Sequence, residues 1–334
     1  MAASGCGGGA TRKGLDGDRS LWKRRIRGFS EVASLLLSQD PGMQCSLTLS
    51  RPVRVEGVGL HSGRHVTAAL HPAEAGRGIV FFRTDVGAVI PAVAEEAARF
   101  DHATSLGRPG REVGTVEHLL SALVGSGIHD LLVEVDGPEL PILDGSAAPW
   151  VDAIHRAGLA RLRDAALPFS PAAPISVSGP HGKRIEIRPA RDLRVTYTID
   201  FPHPAIGRQS VTVVVTPESY ARHLAPARTF GFLAEYEALK AHGLARGASP
   251  ENCIVVGEDH VENGSLRFPD EFVRHKALDL LGDLALVGRP VLGHVVAQRA
   301  GHALHAALAQ RLREEMLDEG AADDPAVAGV SASF

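Results

Sequence analysis

The stretch that decides the fold runs from residue 272 to residue 283 and has the sequence FVRHKALDLLGD. His275 and Asp279 are four residues apart, which puts their side chains about 40° apart around a helix axis, on one face. The opposite face carries a continuous apolar stripe: Val273, Ala277, Leu280, Leu284 and Val287. This spacing predicts a largely buried helix over 270–287 with one polar seam.

The polar seam of His275 and Asp279 must find partners, because an unpaired polar group is costly to remove from water. The pair can bind one zinc ion, with a third ligand from elsewhere in the chain and a fourth position open for water. The alternative is a buried histidine hydrogen-bonded to its aspartate, which is the commoner arrangement for such a pair taken alone. The helix by itself leaves both interpretations open.

A second helical stretch echoes the first. Residues 116–124 have the sequence VEHLLSALV and residues 273–281 have the sequence VRHKALDLL, so a histidine occupies the same place in both. The echo is weak evidence for a duplication. If the two helices face each other, His118 and His275 meet in a cleft between two domains, where binding sites commonly form.

The elements around these helices predict an α+β fold. Strands are predicted at 46–56, 65–71, 78–83 and 129–136, and then at 175–178, 184–188, 193–200, 210–215 and 291–298; the other principal helices are predicted at 147–158 and 302–316. We expect two similar α+β domains, each a β-sheet layer with two principal helices, and the helices packed between the sheets. The domains are placed at 43–165 and 175–316, joined by a Pro- and Ala-containing linker at 166–174.

The two ends of the chain differ from its body. Residues 1–42 carry seven Lys and Arg against four Asp and Glu and begin with a Gly-rich run. We interpret them as a disordered or artefactual extension, with the protein proper starting near Met43, and residues 317–334 as a flexible tail. No apolar run in the sequence has the length of a membrane span.

Composition excludes several classes of protein. The 334 residues include 35 Lys and Arg and 39 Asp and Glu, a net charge of −4, which argues against a strongly basic nucleic-acid binder. Three cysteines far apart in the sequence offer neither a disulfide framework nor a thiolate metal site. The 16 histidines are the unusual feature, because some of them can be metal ligands or acid–base groups.

Two other helix starts carry candidate residues. Glu117 precedes His118, which suits one side chain to bind a metal ion and the other to accept a proton, although an exposed helix start is the alternative. His302 falls where a strand turns into a helix, and a nearby carboxylate such as Asp283 would favour its charged form. The alternative for His302 is a capping or solvent-facing histidine. We interpret His305 as structural.

His61 lies in a Gly-rich turn at 57–63, GVGLHSG. The turn is too short for a phosphate-binding loop and no clear helix follows it, so it gives little support to dinucleotide binding.

Taken together, these segments resemble a known family, the zinc-dependent UDP-3-O-acyl-N-acetylglucosamine deacetylases of lipid A biosynthesis. The resemblance covers about residues 43–310. Six motifs carry it, in the right order: GVGLHSG at 57–63, TVEHL at 115–119, PILDGSAAP at 141–149, ARTFGF at 227–232, FVRHK at 272–276 with Asp279 and Asp283, and GHAL at 301–304.

The resemblance implies a cofactor and catalytic residues. One Zn²⁺ per chain would be held by His118, His275 and Asp279. Glu117 would take the proton of the attacking water. The developing oxyanion would be stabilised by Thr229, and a cationic His302, oriented by Asp283, would stabilise the oxyanion or protonate the departing amine.

The resemblance also implies a substrate, a UDP-sugar acyl-lipid from which acetate is removed in the committed step of lipid A biosynthesis in Gram-negative bacteria. Expected substrate contacts are Lys276, His61, Arg228 and Phe230. An insertion at about 227–262 would form an acyl channel, with an apolar wall from Phe230, Phe232, Leu233, Leu239, Leu244 and the run 253–256.

We expect a cytoplasmic monomer without a nucleic-acid partner that makes transient contact with the inner face of the membrane. Two other functions remain as alternatives: the same chemistry on another acylated substrate, and a non-catalytic binding protein with a relict metal site. The complete set of Glu117, His302 and three ligands argues against the non-catalytic binding protein.

Overall fold

The computed structural model describes residues 46–100, 102–163 and 167–322. The predicted extension at 1–42 and the end of the predicted tail, from residue 323 onward, lie outside the described residues. Of the helices in the described part of the chain, none combines the length and apolar character that a membrane span requires.

The described residues contain two sets of strands. The first set is β1 (Leu47–Leu49), β2 (Val53–Val58), β3 (His65–Pro72), β4 (Ile79–Arg83), β5 (Ala88–Pro91), β6 (Ala97–Arg99), β7 (Ser105–Leu106), β8 (Leu131–Val135) and β9 (Leu159–Arg161). The second set is β10 (Ile175–Ser178), β11 (Arg184–Arg188), β12 (Leu193–Asp200), β13 (Arg208–Val214), β14 (Phe230–Phe232), β15 (Ile254–Val256) and β16 (Gly293–Gln298).

The α-helices of the described residues are α1 (Glu117–Gly125), α2 (Ala148–Ala157), α3 (Pro217–His223), α4 (Leu233–Ala241), α5 (Glu271–Leu284) and α6 (His302–Ala322). A 3₁₀ turn at Ala285–Val287 extends α5 to the predicted end of that helix. Helix α6 continues past residue 316, the predicted end, to Ala322.

The two halves of the chain repeat one sheet topology. In the first half the strand order is β2-β3-β8-β4-β5, and in the second it is β10-β11-β16-β12-β13. Each sheet is antiparallel except for one parallel pair, β4 with β8 and β12 with β16. In both sheets the last strand in sequence enters between the second and the third, after a long helical excursion. The predicted repeat of two α+β units is therefore confirmed.

The principal helices lie between the sheets, as predicted. Helix α1 packs against α5 and α2, and α2 also contacts β2 of the first sheet. Helix α5 packs on β12 and β13, and α6 on β10 and β11. All residues of α5 are buried except Arg274 and Lys276, so the apolar stripe and the polar seam are both enclosed.

Several shorter elements were not predicted from the sequence. The predicted strand at 46–56 is divided before Pro52 into β1, which pairs with β9, and β2, which belongs to the first sheet. A small hairpin of β6 and β7 precedes α1. Within the region predicted as a linker, Phe169 is buried and its backbone bonds to Pro290 and Leu292, so this part of the segment is fixed to the second half.

The predicted insertion at 227–262 has its own small structure. Strands β14 and β15 pair in parallel, and α4 connects them. No residue of α4 is buried, in contrast to α5. The insertion therefore lies on the outside of the second half, between α3 and α5 in sequence.

Helices α1 and α5 approach most closely at Gly282. A Cβ at this position would lie 2.1 Å from the carbonyl oxygen of Glu117, the first residue of α1. The neighbouring group is backbone, which cannot move aside without shifting the helix. Gly282 therefore sets the distance between the two helices that carry the polar residues.

Replacing Gly282 by alanine tests this contact. We expect Gly282→Ala to lower the free energy of unfolding by about 1–3 kcal/mol through overpacking, although alanine is the better helix former by about 1 kcal/mol. Urea denaturation measures the change. Gly301→Ala, where a Cβ meets open space, is the matched control; its effect should stay below about 1 kcal/mol. Equal stability of Gly282→Ala and the wild type would contradict the close packing.

Candidate metal centre and active site

Helices α1 and α5 bring together three side chains that could bind a metal ion. His118 comes from α1, and His275 and Asp279 come from α5. Their ligand atoms all lie within 4.8 Å of one another, and all three residues are buried. The Nε2 atoms of His118 and His275 are 3.7 and 3.4 Å from Asp279 Oδ1. The two histidines that occupy matching places in the sequence repeat therefore face each other.

Local hydrogen bonding leaves this group ready for a cation. Nδ1 of His275 donates to the carbonyl oxygen of Ala227 at 3.1 Å, which leaves Nε2 as the free acceptor beside Asp279. Oδ1 of Asp279 is buried and has no hydrogen-bond partner among the described residues. Such an oxygen is costly to bury alone, and a divalent cation would satisfy it. The residues present fit a bound metal ion.

The ionisation of the three side chains also suits a metal site. Burial lowers the pKa of His118 to about 3, with a further contribution from His275. Burial likewise lowers the pKa of His275. Burial alone would raise the pKa of Asp279, but His275 and Lys276 together lower it below its usual range. Two neutral imidazoles and one carboxylate are the protonation states that metal binding requires.

In a second buried group, made of Asp283, His302 and His305, the possible ligand atoms also lie within 4.8 Å of one another. Its carboxylate is already engaged: Thr104 Oγ1 donates to Oδ1 at 2.6 Å, and Nδ1 of both histidines lies 2.9 Å from Oδ2. No oxygen of Asp283 is left without a partner, in contrast to Asp279 Oδ1. The first group is therefore the better candidate for a metal site, and the second group forms a hydrogen-bond network.

The two histidines of this network differ in charge. Burial alone would lower the pKa of His302, but the carboxylate of Asp283, aided by Asp279, raises it to about 9. Burial lowers the pKa of His305, whose Nε2 lies 2.9 Å from the Tyr197 hydroxyl. His302 is therefore a cation at neutral pH, with Nε2 3.7 Å from Asp279 Oδ2, and His305 is a neutral support behind it.

Glu117 is a buried carboxyl group at the start of α1. Its Oε2 accepts a hydrogen bond from the backbone N–H of Thr104 at 3.1 Å. Burial raises the pKa of Glu117 to about 8, although His302 opposes the shift. A carboxyl group with a pKa near neutrality is suited to exchange protons during a reaction.

A cavity of about 600 Å³ opens beside these groups. At one end it is lined by His275, Lys276, Asp279, His302 and Thr229. The rest of its wall is largely apolar and comes mainly from the insertion: Phe230, Phe232, Leu233, Tyr236, Leu239, Cys253 and Val255. The first half contributes Leu60, His61 and His102. The site therefore joins a charged centre to an apolar chamber.

The predicted substrate contacts fall into two groups. His61, Lys276 and Phe230 line the cavity, and Lys276 Nζ lies 2.8 Å from Asp279 Oδ2 and 5.7 Å from the centre of the Phe230 ring. Arg228 is not among the lining residues; its guanidinium donates to buried Glu271 and to the carbonyl of Ser265. We therefore do not retain Arg228 as a substrate contact, because its charge is already paired inside the protein.

The apolar wall also differs in detail from the prediction. Ile254 and Val256 are fully buried and alternate with the lining residues Cys253 and Val255, as the two faces of a strand do. Leu244 does not line the cavity.

Sequence reasoning missed Thr104, Tyr197 and the part played by His305. Thr104 directly precedes β7, the second strand of the short hairpin, and has no motif around it. His305 is one helical turn after His302, and this spacing was the available signal that both rings reach one carboxylate. Tyr197 faces the interior from β12, where alternation predicts burial but not a hydrogen bond.

The site has features that suit a metal-dependent hydrolase. His275, Asp279 and His302 line the cavity, and Glu117, a buried carboxyl group of raised pKa, lies close enough to interact with His302 and Asp279 although neither Glu117 nor His118 lines the cavity wall. The comparisons with known proteins agree with this class. Residues 46–314 match the family model LpxC, UDP-3-O-acyl N-acetylglycosamine deacetylase. The chain belongs to this family.

Individual relatives support the assignment. The chain is 50% identical over 274 residues to the UDP-3-O-acyl-N-acetylglucosamine deacetylase of Myxococcus xanthus (strain DK1622), covering 80% of this chain and 86% of the relative. It is 48% identical over 272 residues to the protein of the same name from Solibacter usitatus (strain Ellin6076), covering 81% of this chain and 92% of the relative.

Zinc titration of the metal-free protein distinguishes the two buried groups. We expect the wild type to bind one equivalent of Zn²⁺ tightly, Asp279→Asn to bind it at least about 10-fold more weakly, and Asp283→Asn to keep near-normal affinity. Competition with a chelating dye measures the affinities. If Asp283→Asn lost zinc while Asp279→Asn kept it, the assignment of the ligands would be wrong.

Proposed function

We propose that this chain hydrolyses the N-acetyl group of UDP-3-O-[(3R)-3-hydroxyacyl]-N-acetylglucosamine and releases acetate, a step of lipid A biosynthesis. The observation that carries the proposal is the union of one buried His-His-Asp group with a long apolar cavity. A hydrolase for small polar amides has no need of such a chamber. The names of the relatives agree with this substrate.

His118, His275 and Asp279 would hold one Zn²⁺. When bound, the ion supplies Lewis acidity, which makes water a nucleophile at neutral pH and polarises a carbonyl group. The protein contributes the ligand set, its orientation through Ala227 and a site shielded from bulk water.

Glu117 would accept the proton of the attacking water as the oxygen bonds to the acetamide carbonyl carbon. In the metal-free protein its pKa of about 8 keeps the group protonated at neutral pH. A divalent cation beside it would lower this pKa and free the carboxylate to act as a base. The hydrogen bond from the Thr104 backbone holds Oε2 in place.

His302 and Thr229 would stabilise the negative charge that develops on the carbonyl oxygen. The hydroxyl of Thr229 offers a neutral donor, and the imidazolium of His302 a cation. His302 would also supply the proton that the amine needs when the carbon–nitrogen bond breaks. Asp283 keeps His302 charged, and Thr104 and His305 keep Asp283 in position.

The remaining parts of the proposal concern binding and context. The acyl chain would lie along Phe230 and the other apolar residues of the insertion, and Lys276 and His61 would contact polar parts of the substrate. We place the two domains at 43–165 and 175–316. We also propose a cytoplasmic monomer that meets its lipid substrate at the inner face of the membrane and binds no nucleic acid.

An acetate-release assay tests the function. With zinc loaded, we expect turnover of UDP-3-O-acyl-N-acetylglucosamine and at least about 100-fold lower kcat/KM for UDP-N-acetylglucosamine, which lacks the acyl chain. Glu117→Ala should keep zinc and lose about 100-fold or more in kcat, whereas His275→Ala should lose the metal. Normal turnover by Glu117→Ala would contradict its role, and equal rates on the two substrates would contradict the acyl site.

The pH profile tests the charge of His302. Activity that needs protonated His302 should fall as pH rises through about 9, the pKa of this group. Asp283→Asn removes the carboxylate that raises the pKa, so the alkaline limb of kcat/KM should move to lower pH by about 1–3 units. Asp192→Asn, at a solvent-exposed ion pair with Arg194, is the control and should leave the profile unchanged. An unshifted limb in Asp283→Asn would contradict the assignment.

A further inference from the structure

A short segment next to the site, residues 226–229, is fixed at every residue. Arg267 Nη1 donates to the carbonyl of Pro226 at 2.8 Å, and His275 Nδ1 donates to that of Ala227 at 3.1 Å. The backbone N–H of Arg228 donates to Glu271 at 3.0 Å. The N–H of Thr229 donates to the carbonyl of Gly145 at 2.7 Å. This segment therefore supports one of the three candidate ligands and contains the candidate oxyanion donor.

The contact at Gly145 belongs to a turn of the first half of the chain. Oδ1 of Asp144 accepts hydrogen bonds from the N–H and the hydroxyl of Ser146, which closes the turn. Gly145 has φ +81°, and a Cβ there would lie 2.2 Å from the carbonyl oxygen of Asn252 in the insertion. The turn is thus pressed directly against the second half, which explains the glycine at this position.

Arg267 connects the turn to the segment. Its Nη2 donates to Asp144 Oδ2 at 3.0 Å, while Nη1 donates to the Pro226 carbonyl and, at 3.3 Å, to the Ser146 hydroxyl. The planar guanidinium reaches all three acceptors at once, which a lysine ammonium on its flexible stem does not reproduce. The backbone N–H of Arg267 is itself held by Glu271, the first residue of α5.

We propose that Arg267 is a positioning residue that ties the turn at 144–146 to the segment at 226–229 and so sets the places of Thr229 and of the His275 ring. The proposal rests on the function proposed above. It assigns to the PILDGSAAP motif at 141–149, which the catalytic scheme does not use, a role in aligning the two halves of the site. The atoms that touch substrate are those of Thr229, and Arg267 acts through them.

The ion pair between Arg267 and Asp144 is partly exposed to solvent, so we expect it to affect the geometry of the site more than the free energy of unfolding. The side chains of Arg267 and Asp144 are 35% and 32% exposed, and ion pairs open to solvent add little to folding. Small displacements of catalytic groups, in contrast, can reduce rates about 100-fold. We therefore expect a variant at Arg267 to lose kcat and zinc affinity while its free energy of unfolding changes little.

The chain offers a closely matched control arginine. Arg313 donates to Glu95, a carboxylate of the first half, and to the carbonyl of Val287 in the second half, at 2.7 and 3.0 Å. It thus makes the same kinds of contact across the two halves, away from the segment at 226–229. A general weakening of the contact between the halves should affect Arg267→Met and Arg313→Met equally.

The experiment compares Arg267→Met, Arg267→Lys and Arg313→Met with the wild type, measuring kcat, KM, zinc affinity by chelator competition and the thermal unfolding midpoint. We expect Arg267→Met to lose about 10-fold in kcat and about 10-fold in zinc affinity, with little change in KM. Arg267→Lys should recover only part of this loss. Arg313→Met should keep wild-type kinetics and zinc affinity, whatever its effect on the midpoint.

A double-mutant cycle with Thr229→Val shows whether Arg267 acts through Thr229. If it does, Arg267→Met should reduce kcat much less in the Thr229→Val background than in the wild type. Additive losses in kcat together with unchanged zinc affinity, or an Arg267→Met variant that behaves like Arg313→Met, would overturn the proposal. A wild type that binds zinc but deacetylates neither nucleotide sugar would instead refute the proposed function, so the two failures are distinguishable.

Discussion

The contact between α1 and α5 at Gly282 is the constraint on which the rest of the structure depends. Neither helix holds a complete site: α1 provides Glu117 and His118, and α5 provides His275 and Asp279. Because the two backbones touch where Gly282 meets the carbonyl of Glu117, the four side chains share one buried point. A bulkier residue there would push α1 and α5 apart and so separate Glu117 and His118 from His275 and Asp279. The two sheets can then be understood as the scaffold that holds this helix pair.

Burial of the site shifts the pKa values of its carboxyl and imidazole groups in opposite directions, so that neighbouring side chains differ in charge. Burial raises the pKa of Glu117 to about 8 and lowers that of His118 to about 3, because each group is forced toward its neutral form. His302 escapes this rule because Asp283, which lies 2.9 Å away and is also bound by Thr104 and His305, favours its charged form, with a further contribution from Asp279. One environment thus yields a neutral imidazole, a carboxyl group whose pKa lies near neutrality and an imidazolium cation.

Much of the fold was predictable from the sequence, because periodicity reports burial directly. The helix at 270–287, the strand pattern and the echo between residues 116–124 and 273–281 led to the two-unit architecture, which the sheet topology confirms. The echo also indicated that His118 and His275 would meet if the two helices faced each other, and in the structure the centres of their rings are 5.0 Å apart. The ion pair of Arg228 with Glu271 was not predicted, because Glu271 lies 43 residues away and no local spacing in the sequence indicates such a pair. Thr104 is hidden for the same reason, since it meets Asp283 across 179 residues.

The cavity carries positive charges although the chain as a whole is negatively charged. If the substrate is the proposed nucleotide sugar, which is an anion, a protein with net charge −4 must concentrate positive charge where that ligand lies. Lys276 and His302 line the cavity, and each is held next to a buried aspartate, Asp279 and Asp283. Burial opposes the charge on both, and in each case the aspartate outweighs burial, so the pKa of Lys276 is raised and that of His302 rises to about 9. Asp279 therefore belongs to the candidate metal group and also keeps Lys276 charged, whereas Asp283 keeps His302 charged.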